Sequence, residues 1–124
     1  MCRSFVITAA LALASVMCCP AYAQDAAAGK SVFRSQCSIC HSVERGRSMT
    51  GPSLFAIVGR PAGQVAGFQY SPAMQAAHLT WDAATLDRYL ASPRQVVPGT
   101  FMAYAGIKDP TQRANLIAYL ASAH

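Results

Sequence analysis

The stretch Cys37-Ser38-Ile39-Cys40-His41 (CSICH) holds two cysteines three positions apart and a histidine directly after the second. On a helical turn, side chains at positions i and i+3 lie on the same side. A pair of thiols placed in this way can close a disulfide, bind a metal ion or form covalent bonds to a larger group. The remainder of the chain has to decide among these possibilities.

The first 23 residues have the organisation of a secretory signal peptide. Arg3 makes the start basic, residues 5–17 form an apolar run, and Ala21-Tyr22-Ala23 is a small-x-small cleavage site. We therefore expect residues 1–23 to be removed by cleavage before Gln24. This leader predicts that the mature protein acts in the periplasm.

Two other readings of the leader are weaker. Residues 5–23 are only marginally long enough for an uncleaved membrane anchor, and Cys18 lacks the small neighbour that is usual in lipoproteins. After cleavage we expect no stable membrane span. Cys37 and Cys40 are the two cysteines that remain in the mature chain, so no disulfide framework is expected.

The mature chain has a modest positive charge. It carries nine Lys and Arg residues against five Asp and Glu residues, a formal net charge of +4. This balance favours weak attraction to acidic surfaces. Nucleic acid is not expected as a partner, because the basic residues are scattered and only Arg45 and Arg47 lie close together.

Helix signals appear near both ends of the mature chain. Asp25 is placed to cap a helix that runs from Ala26 to about Cys37. Asp109, followed by Pro110, is placed to cap a last helix that presents an apolar stripe. These signals predict two amphipathic helices.

A third helix is predicted between them. Thr80 is placed to cap the segment TWDAATLDRYLAS, whose apolar residues recur at helical spacing, and Pro93 ends it. Ser71 and Pro72 predict a short additional turn that reaches Ala77. The fold class is therefore all-α, with three main helices.

Long loops rich in Gly and Pro connect these helices, and no convincing alternating strand is present. Loops bury little apolar area, which is a difficulty in so small a domain. A large apolar cofactor would fill the centre.

The motif C-x-x-C-H identifies that cofactor as one covalently attached haem c. Cys37 and Cys40 can form thioethers to two vinyl groups of one porphyrin, and His41 is then placed as an axial ligand of the iron. A thioredoxin-type motif would need a βαβ setting, and a zinc site would need four suitably spaced ligands. The chain provides neither, so haem is the prediction.

The second axial ligand has several candidates. Histidine would give a low-potential site and methionine a high-potential one. The candidates are His78, His124, Met49, Met74 and Met102. Met102 lies in a Pro-Gly loop between the second and third main helices, and such a loop can reach across a haem face.

Six blocks of the mature chain resemble, in order, the successive blocks of class I cytochromes c of the short mitochondrial-like and bacterial c2 or c550 type. The resemblance implies that residues 24–124 form one cytochrome c domain, with helices and long loops wrapped around the haem. It disfavours a cytochrome c-prime, in which the haem motif lies near the C-terminus. The blocks are GKSVFRSQCSICHSVE, TGPSLFAIVGR, GFQYSPAM, TWDAATLDRYLASP, VPGTFMAYAGIKD and RANLIAYL.

The resemblance also implies roles for single residues. Met102 matches the distal iron ligand, and the carbonyl of Pro52 matches the acceptor of the His41 ring N–H. The remaining positions match polar groups around the cofactor. They are Arg60, Tyr70 and Trp81 near the propionates, and Tyr89 and Thr100 near the methionine sulfur.

Some positions depart from the family pattern. Met74 replaces a polar residue near the haem, and Phe101 and Gln95 replace familiar lysines, whereas Arg94 and Lys108 remain. The ring of lysines around the haem edge is therefore thinned, which leaves the docking partner open.

These features predict a monomeric one-electron carrier, not an enzyme, because iron with both axial positions filled offers no place for a substrate. The expected partners bind transiently: a bc1-type complex or a periplasmic dehydrogenase as donor, and a terminal oxidase as acceptor. One rival is an enzyme or gas sensor with a labile distal ligand. Another is an electron-entry subunit held permanently in a larger complex.

Overall fold

A computed structural model of the protein describes residues 24–124, so the predicted signal peptide lies outside the described residues. Within this range the protein is all-α, and its β-structure is limited to an isolated bridge between Pro61 and Thr80. No helix of residues 24–124 is long and apolar enough to cross a membrane. The helices are α1 (Ala26–Gln36), α2 (Pro72–Ala76), α3 (Ala83–Ala91), α4 (Pro93–Val96) and α5 (Pro110–Ser122).

The predicted caps of the first and last helices are confirmed. The Asp25 carboxylate accepts hydrogen bonds from the first-turn amides of α1, at 2.9 and 3.1 Å. The Asp109 carboxylate does the same for α5, at 2.7 and 3.2 Å. Each cap satisfies two amides that have no partner within the helix, which stabilises a helix by about 1 kcal/mol.

The predicted start of the middle helix is wrong by two residues. Asp82, not Thr80, caps α3, and its carboxylate accepts a hydrogen bond from the Thr85 amide at 2.7 Å. Thr80 is instead part of the bridge to Pro61. Trp81 therefore lies before the helix and not on its apolar face.

Backbone pairing explains this shift. The Trp81 amide donates to the Arg60 carbonyl, and the Trp81 carbonyl accepts from the Gly59 amide, both at 2.9 Å. These bonds hold Trp81 outside the helix. They also attach the start of α3 to the loop that contains Arg60.

Of the two short helices, the sequence predicts one and not the other. The turn at Ser71 is confirmed, since the Ser71 hydroxyl accepts from the Met74 amide at 3.1 Å and begins α2. Helix α4 was not predicted. Pro93 ends α3 as expected, but it also occupies the first turn of α4, a position where proline is well tolerated.

Two contacts assemble the main helices. α1 crosses α5 at Gly29 and Phe33, and the Phe33 ring lies 5.5 Å from the ring of Tyr119. α3 is joined to α5 by an ion pair of 2.7 Å between Asp87 and Arg113. The Arg113 side chain is only 12% exposed, so this pair is partly shielded from water.

The segment that follows α4 is anchored on the end of α3. The Ile107 amide donates to the Leu90 carbonyl at 2.8 Å, and Lys108 Nζ donates to the Ala91 carbonyl at 2.9 Å. Gly106 approaches the same turn closely, with φ at +99°. A Cβ atom at Gly106 would collide with the Ala91 carbonyl.

We expect Gly106→Ala to destabilise the protein by about 3 kcal/mol or more, because it combines an unfavourable backbone angle with this collision. Gly67→Ala is the matched control, since Gly67 also has positive φ but has open space around its Cα. We expect it to cost only about 1 kcal/mol. Urea unfolding of the haem-loaded protein measures both, and equal losses would contradict the close packing at Gly106.

Candidate functional site

One cavity of about 380 Å³ lies between the helices, and its walls are mainly apolar. This volume is within the range typical of ligand pockets. α1, α2, α3 and α5 all contribute residues to its lining, together with the long loops. All ten residues selected from the sequence line it: Cys37, Cys40, His41, Pro52, Arg60, Tyr70, Trp81, Tyr89, Thr100 and Met102.

The two cysteines lie on a turn that continues α1. The amides of Cys40 and His41 both donate to the Cys37 carbonyl, at 3.1 and 2.9 Å. Both thiols are free and half-buried. Burial, and then the nearby Cys40, raise the pKa of the Cys37 thiol to about 11.

The His41 ring has a defined orientation. Its Nδ1 lies 2.8 Å from the Pro52 carbonyl, which can only accept, so Nδ1 carries the proton. Burial lowers the pKa of His41, and this hydrogen bond opposes that effect. In the neutral ring Nε2 then keeps the lone pair that a metal ligand needs.

Gly51 leaves room for the imidazole. A Cβ atom at this position would collide with Cε1 of His41. The Gly51 amide also donates to the Cys40 carbonyl at 2.8 Å, which fixes the loop against the cysteine turn. Gly51 was not singled out in the sequence, because its contact with His41 is visible only in the folded chain.

Hydrogen bonds organise the loop that carries Met102. The Tyr89 hydroxyl lies 3.1 Å from Thr100 Oγ1, and the same oxygen accepts from the Met102 amide at 3.3 Å. Burial raises the pKa of Tyr89, so its hydroxyl stays protonated at neutral pH. The Tyr89–Thr100 pair therefore positions the backbone of Met102 from the side of α3.

The cavity separates the candidates for a second axial ligand. Met74 and Met102 line it, whereas Met49, His78 and His124 do not. Met74 is buried on α2 and belongs to the apolar cluster. Met102 lies in a loop and is only half-buried.

A polar corner of the cavity is formed by residues far apart in the chain. The Arg60 guanidinium donates to the carbonyls of Phe55 and Ser53, at 2.9 and 3.0 Å. Burial lowers the pKa of Arg60, and the nearby Tyr70 opposes that shift. Trp81 is 7% exposed and also lines the cavity. One cation and two aromatic polar groups thus face the same space.

The cavity mouth holds residues that the sequence did not mark as functional. Gln36 and Tyr104 join their side chains in a hydrogen bond across 68 positions of the chain. The sequence signal that could have identified them is their position, because Gln36 directly precedes Cys37 and Tyr104 follows Met102 by two residues. Ile39 also lines the cavity without being predicted from the sequence, and this residue is 81% exposed.

The Cytochrome c family model matches residues 26–124, which is nearly the whole described range. This chain belongs to the cytochrome c family. The predicted class I c-type cytochrome and its all-α fold are confirmed.

Bacterial cytochromes are among the similar proteins. Cytochrome c2 of Rhodomicrobium vannielii is 48% identical over 103 residues, which cover 82% of each chain. Cytochrome c2 iso-2 of Magnetospirillum fulvum is 50% identical over 69% of this chain and 90% of its own. The solved structure of cytochrome cH from Methylobacterium extorquens superposes with a TM-score of 0.75, at 42% identity, over 79% of this chain and 98% of that chain.

The cofactor of this cytochrome is one covalently attached haem c with its iron, as in the family. The lining of the cavity fits that group. Cys37 and Cys40 offer two free thiols on one turn, His41 offers an unprotonated Nε2, and the walls are mainly apolar. The protein is therefore a monohaem electron carrier.

Proposed function

We propose that this cytochrome is a periplasmic one-electron carrier whose haem iron is bound by His41 and Met102. One observation carries the proposal: a single cavity brings the cysteine turn, the oriented imidazole and Met102 together. With His41 and Met102 both bound to the iron, no coordination position would remain for a substrate. We therefore propose an electron-transfer role and not an enzymatic one.

The residues around the cofactor have separate roles in this proposal. Cys37 and Cys40 would hold the cofactor through thioethers, and Pro52 would keep the His41 ring in its ligating orientation. The haem supplies the one-electron chemistry, cycling between Fe(II) and Fe(III). Met102 would favour Fe(II) through its soft sulfur and so raise the reduction potential.

The polar residues that line the cavity would set the electrostatic surroundings of the haem. Arg60, Tyr70 and Trp81 are proposed to lie around the haem propionates, where a partly buried cation offsets the carboxylate charge. Tyr89 and Thr100 are proposed to lie beside the Met102 sulfur, since their hydroxyl groups already meet at 3.1 Å. One of those two hydroxyl protons stays free to be donated elsewhere.

Redox partners are proposed to dock at the cavity mouth. Ile39 and Phe101 are 81% and 69% exposed and both line the cavity, so they offer an apolar contact at the point of electron entry. Arg94 is exposed, and Lys108 has its ammonium group on two backbone carbonyls. These two cations would steer encounter at low salt with a bc1-type complex, a dehydrogenase or a terminal oxidase.

Export is part of the proposal. We propose that the leader is removed before Gln24 and that the mature protein acts as a monomer in the periplasm. The mass of the protein recovered from the periplasm checks the cut. A mass that includes residues 1–23 would show an anchored protein instead.

Replacing Met102, the proposed distal ligand, should leave a coordination position of the iron free for a small ligand. We expect the reduced wild-type protein not to bind carbon monoxide, and Met102→Leu to bind it and to have a lower reduction potential. Met74→Leu is the matched control, because Met74 lines the same cavity. Absorption spectra of the reduced haem-loaded proteins, with and without carbon monoxide, measure the difference.

The same spectra distinguish the rival functions. A wild-type protein that is high-spin or reacts with carbon monoxide would support an enzyme or gas sensor and reject the closed carrier. If Met74→Leu binds carbon monoxide and Met102→Leu does not, the distal ligand is Met74 on α2 and not Met102.

The docking proposal separates into an apolar part and an electrostatic part. We expect Phe101→Ala to raise the dissociation constant for a purified bc1-type complex or oxidase by roughly tenfold at every salt concentration. Arg94→Gln should instead flatten the dependence of the association rate on ionic strength. Stopped-flow electron transfer at several ionic strengths measures both, and a wild-type rate independent of salt would reject the steering role.

A further inference from the structure

The hydrogen bond between Gln36 and Tyr104 lies at the mouth of the cavity. The Tyr104 hydroxyl donates to Gln36 Oε1, and both residues line the cavity. The two positions are 68 residues apart, so the bond joins segments that the chain itself does not hold together. It therefore acts as a cross-link between two walls of the site.

The two segments are those that carry the proposed cofactor contacts. Gln36 is the last residue of α1 and directly precedes Cys37. Tyr104 follows Met102 by two residues, and its amide donates to the Met102 carbonyl at 3.0 Å. This short turn couples the position of the Tyr104 side chain to that of the Met102 backbone.

The loop around Met102 has few other attachments. Phe101, Ala103 and Ala105 are exposed, and Met102 and Tyr104 pack only partly buried against the core. Within residues 24–124, the side-chain hydrogen bonds that join residues 98–105 to other segments are Tyr89 with Thr100 and Gln36 with Tyr104. Of these, only the bond to Gln36 reaches the cysteine turn.

We propose that the Gln36–Tyr104 bridge is a latch that holds the Met102 loop closed over the haem and limits the access of small ligands to the iron. This inference rests on the proposed role of Met102. Gln36 and Tyr104 are positioning residues, because they act through the loop and not on the iron. Loss of the latch would raise the population in which the loop is open.

The test is imidazole binding to the oxidised haem-loaded protein, followed by absorbance. Tyr104→Phe removes only the hydroxyl, and Gln36→Ala removes the acceptor. Each should raise the binding constant for imidazole by roughly fivefold, the factor that corresponds to one ordinary hydrogen bond. The double variant should rise no further than either single variant, because both remove the same bond.

Two further variants separate the latch from a general effect on folding. Gln36→Glu keeps an oxygen acceptor and should stay close to the wild type. Tyr119→Phe removes a hydroxyl from a tyrosine that packs on Phe33 at the α1–α5 crossing, and it should leave imidazole binding unchanged. Urea unfolding of every variant shows whether a change in binding merely follows a change in global stability.

The outcomes are distinct. Suppose that the reduced wild-type protein does not bind carbon monoxide and that Tyr104→Phe binds imidazole no more tightly than the wild type. The latch would then be overturned, and the proposed function would stand. A change that tracks global stability, or additive effects in the double variant, would overturn it as well. A wild-type protein that binds carbon monoxide when reduced would reject the Met102 ligation, and the latch would fall with it.

Discussion

The shared apolar cavity is the constraint on which the rest of the structure depends. A domain of this size buries little surface by helix packing alone, and its loops contribute less. Leu86 and Leu90 of α3 and Leu116 and Leu120 of α5 belong to the buried cluster and also line the cavity. These leucines therefore serve both the packing between the helices and the wall of the cavity. The haem of this family provides the apolar contacts there, so cofactor and fold support each other.

The two sides of the site are built differently. His41 lies on a turn that continues α1, and both the Pro52 carbonyl and Gly51 confine its ring. Met102 lies half-buried in a loop that is attached at separate points, through Thr100 at one end and Ile107 at the other. A carrier needs similar geometry in both oxidation states, and if Met102 binds the iron as proposed, the geometry on its side depends on a small number of hydrogen bonds.

The mouth of the cavity combines exposed apolar groups with a cation that is held by the backbone. Phe101 and Ile39 place exposed apolar surface beside the cofactor, and a bound Lys108 ammonium group is less able to reach a partner. Apolar contact depends much less on ionic strength than steering by charge does. In the docking that we propose, this rim would therefore suit a partner with a complementary apolar surface.

Local signals in the sequence determined the cysteine turn and the caps at Asp25 and Asp109, because each depends on neighbours within a few positions. The C-x-x-C-H motif selected Cys37, Cys40 and His41, and the resemblance selected the other seven lining residues, but neither specified their contacts. Tertiary structure alone decided that Thr80 pairs with Pro61 and leaves the cap of α3 to Asp82. It also decided that Gln36 and Tyr104 meet and that Gly51 faces His41. These contacts join segments brought together only by folding, so no local spacing in the sequence could specify them.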